Sequence, residues 1–296
     1  VSVLVIGGNG QVGQELLRVL SGSRVLATTR SGLLADGSAC LRADLEKPEQ
    51  LVALLSVARP TWVINAAAYT AVDKAEQERA AAFRVNAEAP AAIARWCAEQ
   101  GVPLLHYSTD YVFDGRARRP YLPDDPTGPL CVYGESKLAG EQAIRAAGGR
   151  HLIFRTAWVY SAHGHNFLRT MLRAGAERDE LRVVADQIGT PTPAALIAQM
   201  TVRAMRHPIQ RSGTWHLTAT GETSWYGFAE HIFATALALG LADRVPKLTP
   251  ITTADYPTAA ARPAYSRLDT SSFFADFGVE LPQWQNEVTN VISSMQ

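Results

Sequence analysis

The chain has 296 residues, 47% hydrophobic and 19% charged, enough for one large domain or two modest ones with an ordinary buried core. Lys plus Arg and Asp plus Glu both number 28, so the formal net charge is zero and nucleic acid is not expected as a partner. Three cysteines, Cys40, Cys97 and Cys131, show no Cys-x-x-Cys spacing and make no paired framework, which fits a reducing compartment.

In chain order, a buried strand is predicted over 3–6. A helix follows over 11–20, where Val12, Leu16, Val19 and Leu20 fall near helical spacing. A strand is expected over 24–28, a helix over 50–57 and a strand over 61–65. Residues 79–100 read as one alanine-rich helix, with Pro90 as a kink or a break. A strand over 103–107, a helix over 133–147 and a strand over 151–154 complete the first half. This alternation is the signature of an α/β, doubly wound parallel sheet of Rossmann type, whose ligands sit beyond the carboxyl ends of its strands. After about residue 160 the pattern loosens, with helices over 167–176, 194–206 and 225–239 between turn-rich stretches. We expect a dinucleotide-binding domain over 1–160 and a smaller substrate-binding domain over 161–296, some of whose elements return to the sheet. No basic leader precedes the first strand and no apolar run reaches membrane-spanning length, so a cytoplasmic location without a membrane partner is expected.

Gly7-Gly-Asn-Gly-Gln-Val-Gly13 links the first strand to the first helix. Glycines at 7, 10 and 13 let the backbone turn tightly and approach a pyrophosphate at the helix N-terminus. The second strand ends in Thr28-Thr-Arg30-Ser31, without the carboxylate that bonds a ribose 2′-hydroxyl. Arg30 and its hydroxyl neighbours suit a 2′-phosphate, so NADPH is expected ahead of NADH. Asp44-Leu45 falls where an adenine amino group can be bonded.

Tyr133-Gly-Glu-Ser-Lys137 places a phenol and an ammonium four residues apart on one helix face. A nearby lysine stabilises a phenolate and draws the phenol's pKa down from about 10. Alone, Tyr-x-x-x-Lys occurs on any surface helix. It acquires meaning beside Ser108-Thr-Asp110, at the end of the fourth long strand, where Thr109 or Ser108 can polarise a carbonyl. The chemistry expected is delivery of a hydride to a ketone carbon and of a proton from Tyr133 to its oxygen.

These motifs resemble the extended short-chain dehydrogenase/reductases, and among them the dTDP-4-dehydrorhamnose reductase family. The resemblance also rests on Asn65-Ala-Ala-Ala-Tyr-Thr70-Ala-Val-Asp73, His106-Tyr-Ser-Thr-Asp-Tyr-Val-Phe-Asp-Gly115, Phe154-Arg-Thr-Ala-Trp158-Val-Tyr160, Asp186-Gln-Ile-Gly-Thr-Pro-Thr192 and Arg262-Pro263. It implies reduction of the C4 ketone of the sugar nucleotide dTDP-4-dehydro-L-rhamnose, with Thr109, Tyr133 and Lys137 as the catalytic set. It further implies that Gly7, Asn9, Gly10, Gln11, Val12, Gly13, Arg30, Asp44, Leu45, Ala66, Ala67, Tyr69, Tyr133 and Lys137 line the cofactor. Asp110, Tyr111 and Trp158 would lie around the sugar, and Asn166, Gln187, Thr192 and Arg262 at the nucleotide diphosphate end. The alternatives are another sugar-nucleotide epimerase or dehydratase, or a non-catalytic NADP-binding subunit resembling the methionine adenosyltransferase β-subunit.

Two positions depart from the family pattern. Tyr265 stands where asparagine is common, and Pro193-Ala194-Ala195 lacks a glutamate that some magnesium-dependent dimers carry. A monomer or a homodimer is expected. His163-Gly-His165 reads as a solvated loop, and no metal is expected. Arg116-Ala-Arg118-Arg119 is either solvated or faces a diphosphate.

Overall fold

The computed structural model describes residues 2–207 and 211–296. Its first half runs β1 (Ser2–Ile6), α1 (Gln11–Val19), β2 (Arg24–Thr29), β3 (Leu41–Arg42), α2 (Pro48–Ala58) and β4 (Trp62–Asn65). Then come α3 (Val72–Ala75), α4 (Arg79–Phe83), α5 (Ala89–Gln100), β5 (Leu104–Thr109), α6 (Val132–Ala146) and β6 (His151–Thr156). The second half adds β7 (Val159–Tyr160), α7 (Phe167–Glu177), β8 (Glu180–Val184), β9 (Ile188–Gly189), β10 (Thr192–Pro193), α8 (Ala194–Arg206) and β11 (Gly213–His216). It ends with β12 (Thr223–Ser224), α9 (Trp225–Ala238), β13 (Lys247–Ile251), α10 (Ser271–Phe277) and α11 (Trp284–Ser293).

Seven strands form one parallel sheet in the order β11-β6-β5-β4-β1-β2-β3. The chain moves outward from β1 to β2 and β3, then returns to place β4 on the other side of β1. This reversal opens a crevice beyond the carboxyl ends of β1 and β4. The period of two sends alternate residues of one strand to opposite layers. Val3 and Val5 pack in one core with Leu16 of α1 and Leu196 and Ile197 of α8. Leu4 and Ile6 pack in the other with Leu51 of α2, Ile93 of α5 and Ile144 of α6. Both faces are thus covered by helices, as a sheet of near-continuous apolar strands requires.

The expected helix over 79–100 is three pieces. A π-helical turn over Arg84–Glu88 separates α4 from α5, and Pro90 sits in the first turn of α5. There its missing N–H and fixed φ do little harm. The wide turn seats the Asn86 carbonyl against α6, where a Cβ on Gly140 would lie 2.1 Å from it. In the second half, β11 joins the sheet beside β6, and β8 pairs with β13 as a separate parallel ribbon. Helices α10 and α11 follow stretches whose period is too short to read in sequence. Among the described residues no helix is long and apolar enough to cross a membrane.

Candidate active site

The glycine loop closes on backbone. Gly7 takes φ +91°, a region that strains any residue with a Cβ, and a Cβ there would sit 2.8 Å from Ala67 N. A Cβ on Gly13 would lie 2.1 Å from Gly7 O, so the first turn of α1 is drawn tightly under the loop. Gly10 is the N-cap of α1, and no side chain caps that turn. Its opening N–H groups therefore remain donors for an anion. Gly7, Asn9 and Gly10 line a cleft of about 710 Å³ together with Arg30, Asp44, Leu45, Ala67 and Tyr69. This donor-rich floor, with the Arg30 side chain exposed at the rim, fits a dinucleotide. Ala66 continues the loop, its N–H bonded to Ile6 O. Gln11 and Val12 open α1, but the Gln11 carboxamide turns to the second half, accepting from Ser161 Oγ at 2.8 Å and Asn166 Nδ2 at 2.9 Å.

The reacting groups meet where β5 ends against α6. A Cβ on Gly134 would lie 2.3 Å from Tyr111 O, so this glycine lets α6 approach the turn that follows β5. Tyr111 then stands edge-on to Tyr133, ring centroids 5.5 Å apart. The Thr109 hydroxyl donates to Asp110 Oδ1 at 3.0 Å and lies beside the Tyr133 phenol. Burial raises the phenol above its ordinary value, the Thr109 hydrogen bond opposes that, and the Asp110 carboxyl adds to the rise. Asp110 itself is pushed up to about 6 by burial, against hydrogen bonds with Ser266 and Thr109. The expected depression of the phenol by Lys137 is not found. Lys137 Nζ instead donates to Tyr107 O at 2.6 Å and lies 3.3 Å from His106 Nε2. Burial pulls this lysine down to about 8, with Glu141 acting the other way.

Tyr133, Lys137 and Glu141 fall on one face of α6 at intervals of four residues. Glu141 is fully buried and takes two bonds from Arg155, at 2.9 and 2.8 Å. Burial alone would raise its carboxyl, but the Arg155 bonds win and hold it below the ordinary range. Asn86 ties the rim to the same helix: its Oδ1 accepts from Tyr69 N at 2.8 Å and its Nδ2 donates to Ser136 Oγ at 3.0 Å.

The residues expected around the substrate divide. Arg262 lies against Tyr111 and grips Asp73 through bonds of 2.7 and 3.2 Å, joining the C-terminal loop to the cofactor half. Trp158 adopts φ +47° and stacks on Trp225 at 3.6 Å, over Gly189, where a Cβ would meet the indole at 2.5 Å. Gln187 Oε1 accepts from Trp225 Nε1 at 3.1 Å, so this amide steadies the indole pair. Asn166 and Thr192 bond within the protein. Asn166 caps α7 through Arg169 N and turns its Nδ2 to Gln11, Ser161 O and His163 O. Thr192 is fully buried, donating to Thr190 O at 3.2 Å and accepting from Ala219 N at 3.3 Å. Both polar groups are satisfied inside the protein. Tyr265 reaches Glu222 Oε2 at 3.2 Å, Arg119 is held by Asp125, and His163 Nε2 lies 3.1 Å from Glu15.

The comparisons agree with this geometry. The family model described as the RmlD substrate binding domain matches residues 1–296. The chain belongs to this family. A dTDP-4-dehydrorhamnose reductase of Burkholderia thailandensis is 46% identical over 296 aligned residues, 97% of this chain and 96% of the relative. One of Escherichia coli K12 is 42% identical, covering 99% and 98% of the two chains. Among solved structures, a dTDP-4-dehydrorhamnose reductase of Bacillus anthracis in complex with NADP superposes with a TM-score of 0.90 at 32% identity, over 99% of each chain. One from Clostridium acetobutylicum gives 0.90 at 35% identity over the whole of both chains. The doubly wound α/β fold read from the sequence is the fold this family shares. Within that frame, Asn65, His106, Asn86, Ser266 and the Arg155–Glu141 pair support the site, and the sequence reading gave them no role. The four-residue step from Lys137 to Glu141 was the available signal.

Proposed function

We propose that this protein is an NADPH-dependent reductase of dTDP-4-dehydro-L-rhamnose, forming dTDP-L-rhamnose, with Thr109, Tyr133 and Lys137 as its catalytic residues. The observation that carries this reading is the meeting of Thr109, Asp110 and Tyr133 beside a glycine-lined cleft, with Lys137 one helical turn behind the phenol. The first-turn N–H groups of α1, with Arg30, Asp44 and Tyr69, would hold the cofactor. When bound, it supplies the hydride that the ketone carbon takes up. Tyr133, kept protonated by burial, gives its proton to the ketone oxygen. Thr109 orients that oxygen, and Lys137 fixes the back of the site. Tyr111 and Arg262 border the sugar, and Trp158 shapes its far wall.

The relatives named for this activity, matched over nearly their whole length, support the choice of substrate. The test is direct. Adding authentic dTDP-4-dehydro-L-rhamnose to the protein with NADPH should consume one cofactor per sugar reduced. Cofactor that stays unconsumed while the sugar is converted would point to an epimerase or dehydratase. A folded, cofactor-binding protein with no turnover would reject the reading.

A further inference from the structure

Two of the described residues other than glycine hold a left-handed backbone, Arg59 at φ +45° and Trp158 at φ +47°. Arg59 closes α2, where a left-handed cap commonly ends a helix. Trp158 has no such role. It stands two residues beyond Thr156, whose register partner on β5 is Thr109, and so at the rim beside the reacting groups. A bulky side chain keeps this backbone only where its surroundings impose it, and such places cluster at binding and catalytic sites.

One ribbon supplies those surroundings. β9 and β12 pair antiparallel, with Gly189 opposite Thr223 and Ile188 opposite Ser224. Gly189 makes room: a Cβ there would lie 2.5 Å from Trp158 Cε2. Trp225, the residue after β12, lays its indole flat on that of Trp158, centroids 3.6 Å apart and planes 7° from parallel. Trp225 is itself tied down. Its Nε1–H donates to Gln187 Oε1 at 3.1 Å, and Gln187 Nε2 donates to Thr253 Oγ1 at 3.1 Å. The Thr253 N–H in turn donates to the Asp186 carboxylate at 2.9 Å. Ser224 caps α9 by accepting from Gly227 N at 3.0 Å, which fixes the backbone where the helix begins. Both stacked indoles are half-buried, whereas Trp215 and Trp284 are 2% and 5% exposed. The stack therefore shapes a surface as well as filling space.

We propose that Trp225, anchored by Gln187, is a positioning residue: it fixes the Trp158 indole at the rim and thereby sets how tightly the sugar nucleotide is held. The effect on the sugar rests on the reading of Trp158 as the far wall of its site; the stack itself does not. Without the Trp225 ring, Trp158 is free to turn about its side-chain bonds, and ordering it again on binding costs affinity. The hydride and proton steps use groups on β5 and α6, so turnover at saturation should change little.

The chain has six tryptophans, so full-length protein labelled with ¹⁵N at the indole gives few signals to follow. Those of Trp158 and Trp225 are assigned by their loss in Trp158→Phe and Trp225→Phe. In Trp225→Leu the ring current over Trp158 disappears, and the Trp158 N–H signal should leave its wild-type position. The KM for dTDP-4-dehydro-L-rhamnose should rise about tenfold, the most that one aromatic pair is usually worth, with kcat and the NADPH dissociation constant within about twofold. Trp225→Phe keeps an aromatic face and should hold KM within about threefold of wild type. Gln187→Leu should raise KM by about threefold, as loss of one hydrogen bond does, and should add nothing to Trp225→Leu. An unmoved Trp158 signal in Trp225→Leu would overturn the stack, and a moved signal with unchanged KM would overturn the positioning role. So would a rise in KM matched by losses of kcat and NADPH affinity, which is general loosening, or a full further loss from Gln187→Leu in the Trp225→Leu background, which is direct contact by the amide. If Trp225→Leu fails to fold, Gln187→Leu carries the same two readouts. A wild-type protein without turnover on this sugar nucleotide fails the function reading alone, and the indole signal still decides the stack.

Discussion

The rim that holds the cleft and the reacting groups differs from the segment over 158–192, where short turns link α7 and β8 to two-residue strands. At the rim, side chains stand on strand ends and one helix face, with Arg30 exposed and Thr109, Asp110 and Lys137 buried. In that segment Asn166 and Thr192 bond backbone groups, Gln187 accepts from Trp225 Nε1, and Trp158 stacks on Trp225. The lesson concerns scaffolds. A parallel sheet satisfies its backbone through its own ladder and frees side chains for chemistry. An irregular loop has no ladder and recruits its polar side chains to satisfy its backbone.

The sharpest way to break this contrast is at the rim. Tyr133→Phe removes one hydroxyl and should lower kcat by roughly 10²–10⁴-fold, as loss of a general acid does. NADPH affinity, followed by fluorescence titration, should change little. A variant that keeps wild-type turnover would show that the proton comes from elsewhere.

A smaller effect should come from Asp110, whose burial is a stability cost at the site. Its folded pKa of about 6 lies above the ordinary carboxylate value of about 3.9. Between those values the folded state binds more protons than the unfolded one, so stability falls as pH rises from about 4 to about 6. Asp110→Asn should remove that loss, on the order of 2 kcal/mol, in denaturant unfolding compared at the two ends of the window. Identical pH slopes for the two proteins would refute it.

The segment over 158–192 gives the smallest effect. Thr192→Val keeps the shape but leaves the Ala219 N–H without its acceptor, which should cost about 1–2 kcal/mol of stability. The KM for the sugar nucleotide should stay within about twofold of wild type, below the ~1.4 kcal/mol that a tenfold change represents. A tenfold rise in KM at unchanged stability would return Thr192 to the nucleotide.

Much of the rim was legible because its rules are local. Glycine spacing after a strand, a Tyr–Lys step on a helix and a Ser-Thr-Asp strand end each state a position within a known repeat. The split of the helix over 79–100 was half legible: Pro90 marked a break, but the π turn before it answers to Gly140 of α6, fifty residues away. His106 was quoted in a motif yet had no visible role, since its partners come from β4 and α6. The internal bonds of Asn166 and Thr192 were not legible, for the opposite reason. Their residue types suit a ligand and a turn equally, and only the neighbours decide.

By itself, then, the sequence determined the alternation of strands and helices, the tight glycine turn and the helical face shared by Tyr133, Lys137 and Glu141, because each depends on backbone periods of a few residues. Only the tertiary structure decided that β11 closes the sheet edge, that Arg262 reaches Asp73, and that His106 meets Lys137. Those outcomes depend on burial and on donors matched to acceptors across distant segments, and a side chain's bonding partner is settled by which groups share its dry neighbourhood.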